Sequence, residues 1–173
     1  MWITLVAPHW EAAPTFQCVY IEIAVVIHRF DNRKAVGLVS NYDPDPAVHT
    51  GLFVGLYDNG NTDALTISAF DGATGKLMVP PVATYPLGSK IKENVPYDMS
   101  VFICNGGGEL FAEGHVTDLT TFTPVFHFET PEGTPMPPNV SEFGQIGIAG
   151  WAKSSFVDST VLGFRWAAGL GLQ

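Results

Sequence analysis

The sequence is short of charge. Charged residues make up 14% of its 173 positions, against about a quarter in an ordinary soluble domain. Basic residues are the scarcest: 8 Lys and Arg stand against 17 Asp and Glu, for a net charge of −9. Nucleic-acid binders advertise themselves by a basic stripe, and none can be built here. The one local basic group, Arg29, Arg33 and Lys34, is interrupted by Asp31. Anionic membrane surfaces are disfavoured for the same reason. Long hydrophobic runs are missing too. The longest, Val19 to Ile27, is broken by Glu22, well short of the ~18 apolar residues that cross a bilayer. The first ten residues lack a basic n-region and carry Pro8, His9 and Trp10, so they do not read as a signal peptide. Localisation stays open between the cytoplasm and a larger or exported assembly.

Cysteine is nearly absent as well. Cys18 and Cys104 make neither a zinc motif nor a dense disulfide framework. Both fall in predicted strands and are expected as buried free thiols. A bridge would require their Cα atoms within about 7 Å, which spacing alone does not establish. Helical periodicity is also lacking, which excludes crossover helices and hence a parallel βαβ sheet.

What is present is alternation. Hydrophobic residues are 46% and aromatics 12% of the chain, with 12 Phe. From Phe16 to Phe30 the odd positions Val19, Ile21, Ile23, Val25 and Ile27 form an unbroken apolar row. The even positions mix Cys18, Tyr20, Glu22, Ala24 and His28. That predicts a long strand with one face in a dry core and one half-polar face. Similar runs occur at 35–40, 51–57, 64–70, 97–104, 109–117, 121–129, 143–150 and 156–166, with a short one at 76–79. The 18 Gly and 13 Pro punctuate them. About ten antiparallel strands bury their apolar rows best as two stacked sheets, a β-sandwich or jelly roll. Residues 1–173 read as one domain with loose ends at about 1–14 and 167–173.

Few charges lie within strands, so those that do are candidates. Glu22 and Glu113, with His115 nearby in pattern, are the carboxylates a sugar hydrolase or lyase would use. The competing reading makes them solvated residues on an outer sheet face. Asp58, Asn61 and Asp63 concentrate oxygen donors suited to calcium, although the turn also forms without an ion. No other cofactor is implied. The five His are dispersed without His-x-x-x-His spacing, which argues against zinc. Tyr42, Tyr57, Asn59 and Trp151, at predicted turns and strand ends, and His28 are the candidate ligand contacts.

Three stretches carry a family resemblance. They are Phe16 to Ile27 followed by Val36-Gly-Leu-Val-Ser40, the glycine-turned hairpin from Val95 to Gly114, and the closing pair Phe143 to Gly150 and Phe156 to Trp166. In that order they resemble the concanavalin A-like, laminin G-like lectin and glucanase sandwiches. The resemblance implies a curved sandwich that commonly binds carbohydrate or protein ligands. Its glucanase members carry Glu-x-Asp-x-x-Glu on one strand, and nothing here matches it. The expected function is a non-catalytic binding module for carbohydrate. A self-associating jelly-roll subunit and a glycoside hydrolase or lyase are the alternatives.

Overall fold

The computed structural model describes residues 2–5, 18–30, 34–43, 45, 50–58, 60, 62–71, 74, 76–141, 144–152 and 158–169, with the backbone alone at 2–5, 151–152, 158 and 166–169. Twelve strands run through these residues. They are β1 (Trp2–Leu5), β2 (Cys18–Arg29), β3 (Lys34–Tyr42), β4 (Thr50–Asp58), β5 (Asp63–Asp71), β6 (Lys76–Leu77), β7 (Ala83–Pro86), β8 (Pro96–Gly106), β9 (Glu109–Asp118), β10 (Thr123–Glu129), β11 (Gln145–Ala152) and β12 (Asp158–Gly169). Among the described residues no helix is long and apolar enough to cross a membrane.

The strands form two antiparallel sheets. One has seven strands in the order β1-β11-β3-β4-β5-β6, with β7 also paired to β5. The other has five, in the order β10-β9-β8-β2-β12. The all-β sandwich expected from the alternation is the fold observed. Alternation in β2 is read out directly: Val19, Ile21, Ile23, Val25 and Ile27 are all buried. They meet Met99 and Val101 from β8, Leu110 and Val116 from β9, and the inward residues of the seven-stranded sheet, among them Leu38, Val54 and Ile67. Each such side chain contributes about 1.5–3 kcal/mol by leaving water, so this shared core is what holds the sheets face to face.

The outer faces differ. On the seven-stranded sheet the outward residues are buried as well. Ala35, Val39, Tyr42, Phe53, Phe70 and Ala149 form a second apolar cluster. That is why β3 is buried along its whole length instead of alternating. On the five-stranded sheet the outward residues of β8 and β9 are half-buried or exposed at every second position. Only this sheet, among the described residues, offers a broad open face.

Several expectations need correction. Within the stretches expected to be loose, Trp2–Leu5 pairs with β11 and Ala167 to Gly169 pair with β2; the other residues of those stretches, 1, 6–14 and 170–173, lie outside the described residues. Residues 83–86, which fall in none of the predicted strands, add a strand to β5. The two cysteines are not free. Cys18 and Cys104 sit directly opposite each other on β2 and β8, with Cα atoms 4.1 Å apart, and form a disulfide. Register explains this: closely spaced antiparallel pairs bring Cα atoms to about 4.5 Å, inside the reach of a bridge.

Candidate functional site

The open face is built from rows of residues that the strand register sets side by side. One row crosses all five strands: His127 on β10, His115 on β9, Ser100 on β8, Glu22 on β2 and Arg165 on β12. The next row, two residues along, reads Glu129, Glu113, Phe102, Tyr20 and Ala167. The third reads Phe111, Cys104, Cys18 and Gly169. A polar row thus lies against a row with aromatics at its centre. Tyr20 and Phe102 are 37% and 40% exposed, a large fraction for residues in the middle of a sheet. Phe111 braces Phe102 edge-on at 6.3 Å between ring centroids.

Glu22 is held from two sides. Arg165 Nη2 lies 3.1 Å from Oε1, and the Tyr20 hydroxyl donates to Oε2 at 2.9 Å. Burial raises the Tyr20 pKa, and its hydrogen bond to Glu22 and the Glu22 charge raise it further. The phenol therefore stays a donor. One row away, Asp98 has its pKa raised by burial and then by the Glu22 charge, with Arg165 pulling the other way. At the β10 edge, His127 Nε2 lies 3.3 Å from Glu113 Oε1. The His115 and His127 rings stack with centroids 4.6 Å apart. Beyond the third row a cleft of about 550 Å³ opens, lined by Cys104, Asn105, Glu109, Phe111, Glu129 and Pro131 among others. It shares Cys104, Phe111 and Glu129 with the open face, so the two form one continuous surface.

No protein-family model matches the chain, and no curated protein matches it in sequence. Solved structures do. The carbohydrate-binding module CBM66 from Bacillus subtilis superposes with a TM-score of 0.53 at 14% identity, over 90% of this chain and 78% of that one. The chain has the concanavalin A-like sandwich fold. Sheep galectin-11, solved in complex with glycerol, gives a TM-score of 0.50 at 9% identity over 96% of each chain. The xylan β-1,4-xylosidase from Bacillus halodurans C-125 gives 0.51 at 12% identity. Its match covers 87% of this chain but only 27% of the xylosidase.

Within this concanavalin A-like sandwich the residues singled out from sequence go to different places. Glu22, Glu113 and His115 share the open face, but the two carboxylates do not form a pair. They lie two strands and one row apart, roughly 12 Å between backbones. His28 is also on the five-stranded sheet, with both ring nitrogens engaged: Nδ1 is 2.9 Å from Asn94 Oδ1 and Nε2 is 2.9 Å from Thr160 Oγ1. Tyr42, expected as an exposed platform, is buried and stacks on Phe70 at 5.7 Å. Tyr57 is half-buried against the same cluster. Asn59 and Asn61 lie outside the described residues, as does the Trp151 side chain, whose backbone pairs with Ala35. Asp58 and Asp63 are buried at the ends of β4 and β5, where the Lys90 ammonium lies 3.8 Å from each. Gly60 N donates to Asp58 at 2.7 Å.

Sequence reading missed Phe102, Asp98, His127 and Arg165, and it noted Tyr20 without its role. The signal was available in part. All five occupy outward positions of alternating strands, where a large aromatic or a charge is exposed by default. What no single strand discloses is which outward residues become neighbours.

Proposed function

We propose that this chain is a non-catalytic carbohydrate-binding module whose ligand lies on the outer face of the five-stranded sheet. The carrying observation is the pairing of an exposed aromatic row, Tyr20 and Phe102, with the polar row Glu22, Arg165, Ser100, His115 and His127. A pyranose presents an apolar C–H face and a rim of hydroxyls. Aromatic rings supply surface for the first, and charged hydrogen-bonding groups fixed by neighbours orient the second. The likeness in fold to a carbohydrate-binding module and to a galectin in complex with glycerol supports the same reading.

Two observations favour binding over hydrolysis. Glycosidase carboxylates stand about 5–9.5 Å apart across the sugar, whereas Glu22 and Glu113 are separated by β8. Glu22 is also tied to Arg165 and Tyr20, and Glu113 to His127. Calcium is not required by this reading. The disulfide favours a setting outside the reducing cytosol.

A glycan-array screen followed by calorimetry tests the proposal. A bound glycan is expected whose affinity falls at least about tenfold in Tyr20→Ala and in Phe102→Ala, since a stacked ring contributes on the order of 1–2 kcal/mol. A glycan that binds both variants as tightly as the parent would place the site elsewhere. Release of reducing ends from that glycan would overturn the non-catalytic reading. Absence of any glycan ligand, together with a concentration-dependent dimer by light scattering, would make the open face a self-association surface instead.

A further inference from the structure

We infer that Glu113, His115 and His127 form a binding site for a divalent transition ion of the zinc class. Three different positions in the fold converge to make it. His115 and His127 are directly opposite on β9 and β10, and opposed residues on one sheet face hold their Cβ atoms about 4.5–5.5 Å apart. Glu113 precedes His115 by two positions on β9, so the period of a strand puts it on the same face. The result is a triangle of two imidazoles and a carboxylate. One ligand atom from each lies within 4.8 Å of the others.

The chemistry of the set selects the ion. Two nitrogen donors and one oxygen suit zinc, copper or nickel, whereas calcium takes oxygens. Zinc held at about 2.0–2.2 Å places tetrahedral donors roughly 3.3–3.5 Å apart. Glu113 and His127 already meet at 3.3 Å. Closing the rest of the triangle needs a shift of about 1 Å or a little more, within reach of side-chain rotation at this surface. Both histidines are exposed and Glu113 is half-buried, so the ion can reach all three from solvent. Among the described residues the His115 ring makes no hydrogen bond; it stacks on His127. Its nitrogens are therefore available. His28, by contrast, has both nitrogens engaged by Asn94 and Thr160. Three protein ligands leave one coordination position open to solvent, the arrangement of a site that accepts an exogenous ligand rather than a closed structural one. Glu129, directly opposite Glu113, adds negative charge at the rim, which favours a cation.

The spacing of histidines along the chain argued against zinc because it counts only neighbours in sequence. The β9–β10 hairpin supplies the missing proximity. The inference does not depend on what else the open face binds, since it rests on three side chains and their donor atoms.

Titration of the full chain with zinc chloride, followed by calorimetry, tests it. One saturable site is expected, weakened at least about tenfold in His115→Gln and in His127→Gln, the loss of one donor in three. His28→Gln should leave it unchanged, and calcium chloride should not compete. Near-UV circular dichroism confirms that each variant keeps its packing. In the parent protein, zinc should shift the imidazole NMR signals of His115 and His127 together and leave those of His28 in place, a readout that needs no variant. Zinc binding that persists undiminished in the His115→Gln/His127→Gln double variant would assign the ion to other residues and overturn the proposal. So would the absence of saturable binding, or NMR shifts confined to histidines other than these two.

Discussion

Asp63 is only 2% exposed and carries an ionisable group. Its Oδ2 accepts the Ile91 amide. Its Oδ1 makes no hydrogen bond among the described residues and faces Lys90 Nζ at 3.8 Å. Burial raises its pKa above the ordinary carboxylate value. The Ile91 bond and Lys90 lower it in part, and Asp58 adds to the rise. A carboxyl whose folded-state pKa is raised keeps its proton longer in the fold than in the unfolded chain. Its contribution to stability is fully present below the unfolded value and is lost as pH climbs through the folded one. Urea midpoints of the parent should therefore fall, relative to Asp63→Asn, as pH climbs above about 4, the ordinary carboxylate value. Asp98, also raised by burial, is present in both chains and cancels in the difference. Parallel pH profiles for the two proteins would refute the assignment. At this scale the sequence was partly legible. Glu22, Glu113, His28 and His115 stood out because charge within strands is rare. His127 and Arg165 did not, because the partner across a sheet is set by register and not by local pattern. Tyr42 misled for a different reason: it flanks an Asx-rich turn, but Phe70 from β5 covers its ring.

Strands that alternate were easier to read than strands that do not. β2, β8 and β9 each have one face in the core and one in water, and their boundaries lie close to the predicted ones. β7 was hidden because Pro80, Pro81 and Pro86 mark its surroundings as loop. Yet β7 is an edge strand, where a missing N–H interrupts no ladder. Gly114 shows packing overriding propensity inside an element. It faces inward on β9, opposite Phe128. A Cβ placed there would run into the Ser100 carbonyl and would stand 2.7 Å from the Phe128 ring. Phe128, itself 2% exposed, fills the space that the glycine leaves. Strand propensity alone makes Gly114→Ala neutral or favourable. Overpacking makes it costly by about 1–3 kcal/mol, since the carbonyl it meets is strand backbone and the ring is buried. Chemical denaturation is expected to show the loss. A midpoint equal to or above the parent's would mean that the ring moves aside.

The whole molecule is asymmetric: one sheet is covered on both faces, and the other leaves one face to solvent. The disulfide belongs to the second. It joins β2 to β8 across a sequence separation of 86 residues at the end of the open face nearest the cleft. The two strands are also paired by a continuous ladder from Cys18–Cys104 to Val26–Pro96, so the folded state does not need the bridge to align them. Its effect falls mainly on the unfolded chain, where closing a loop of this length removes roughly 4–5 kcal/mol of conformational freedom on the chain-entropy account. For a chain of this size that corresponds to a loss of roughly 10 °C or more in Tm. The Cys18→Ala/Cys104→Ala protein, and the parent under dithiothreitol, should both melt lower by this amount. Near-UV circular dichroism at room temperature should stay close to the parent's. Under the proposed function, glycan affinity should change little as well, because Tyr20, Glu22, Phe102 and Arg165 keep their positions through the ladder. A thiol assay on the unreduced, denatured parent should find no free cysteine. A full complement of two thiols, with a Tm indifferent to dithiothreitol, would remove the bridge and with it the argument for an oxidising compartment. A large Tm loss accompanied by loss of glycan binding would instead make the disulfide part of the binding face.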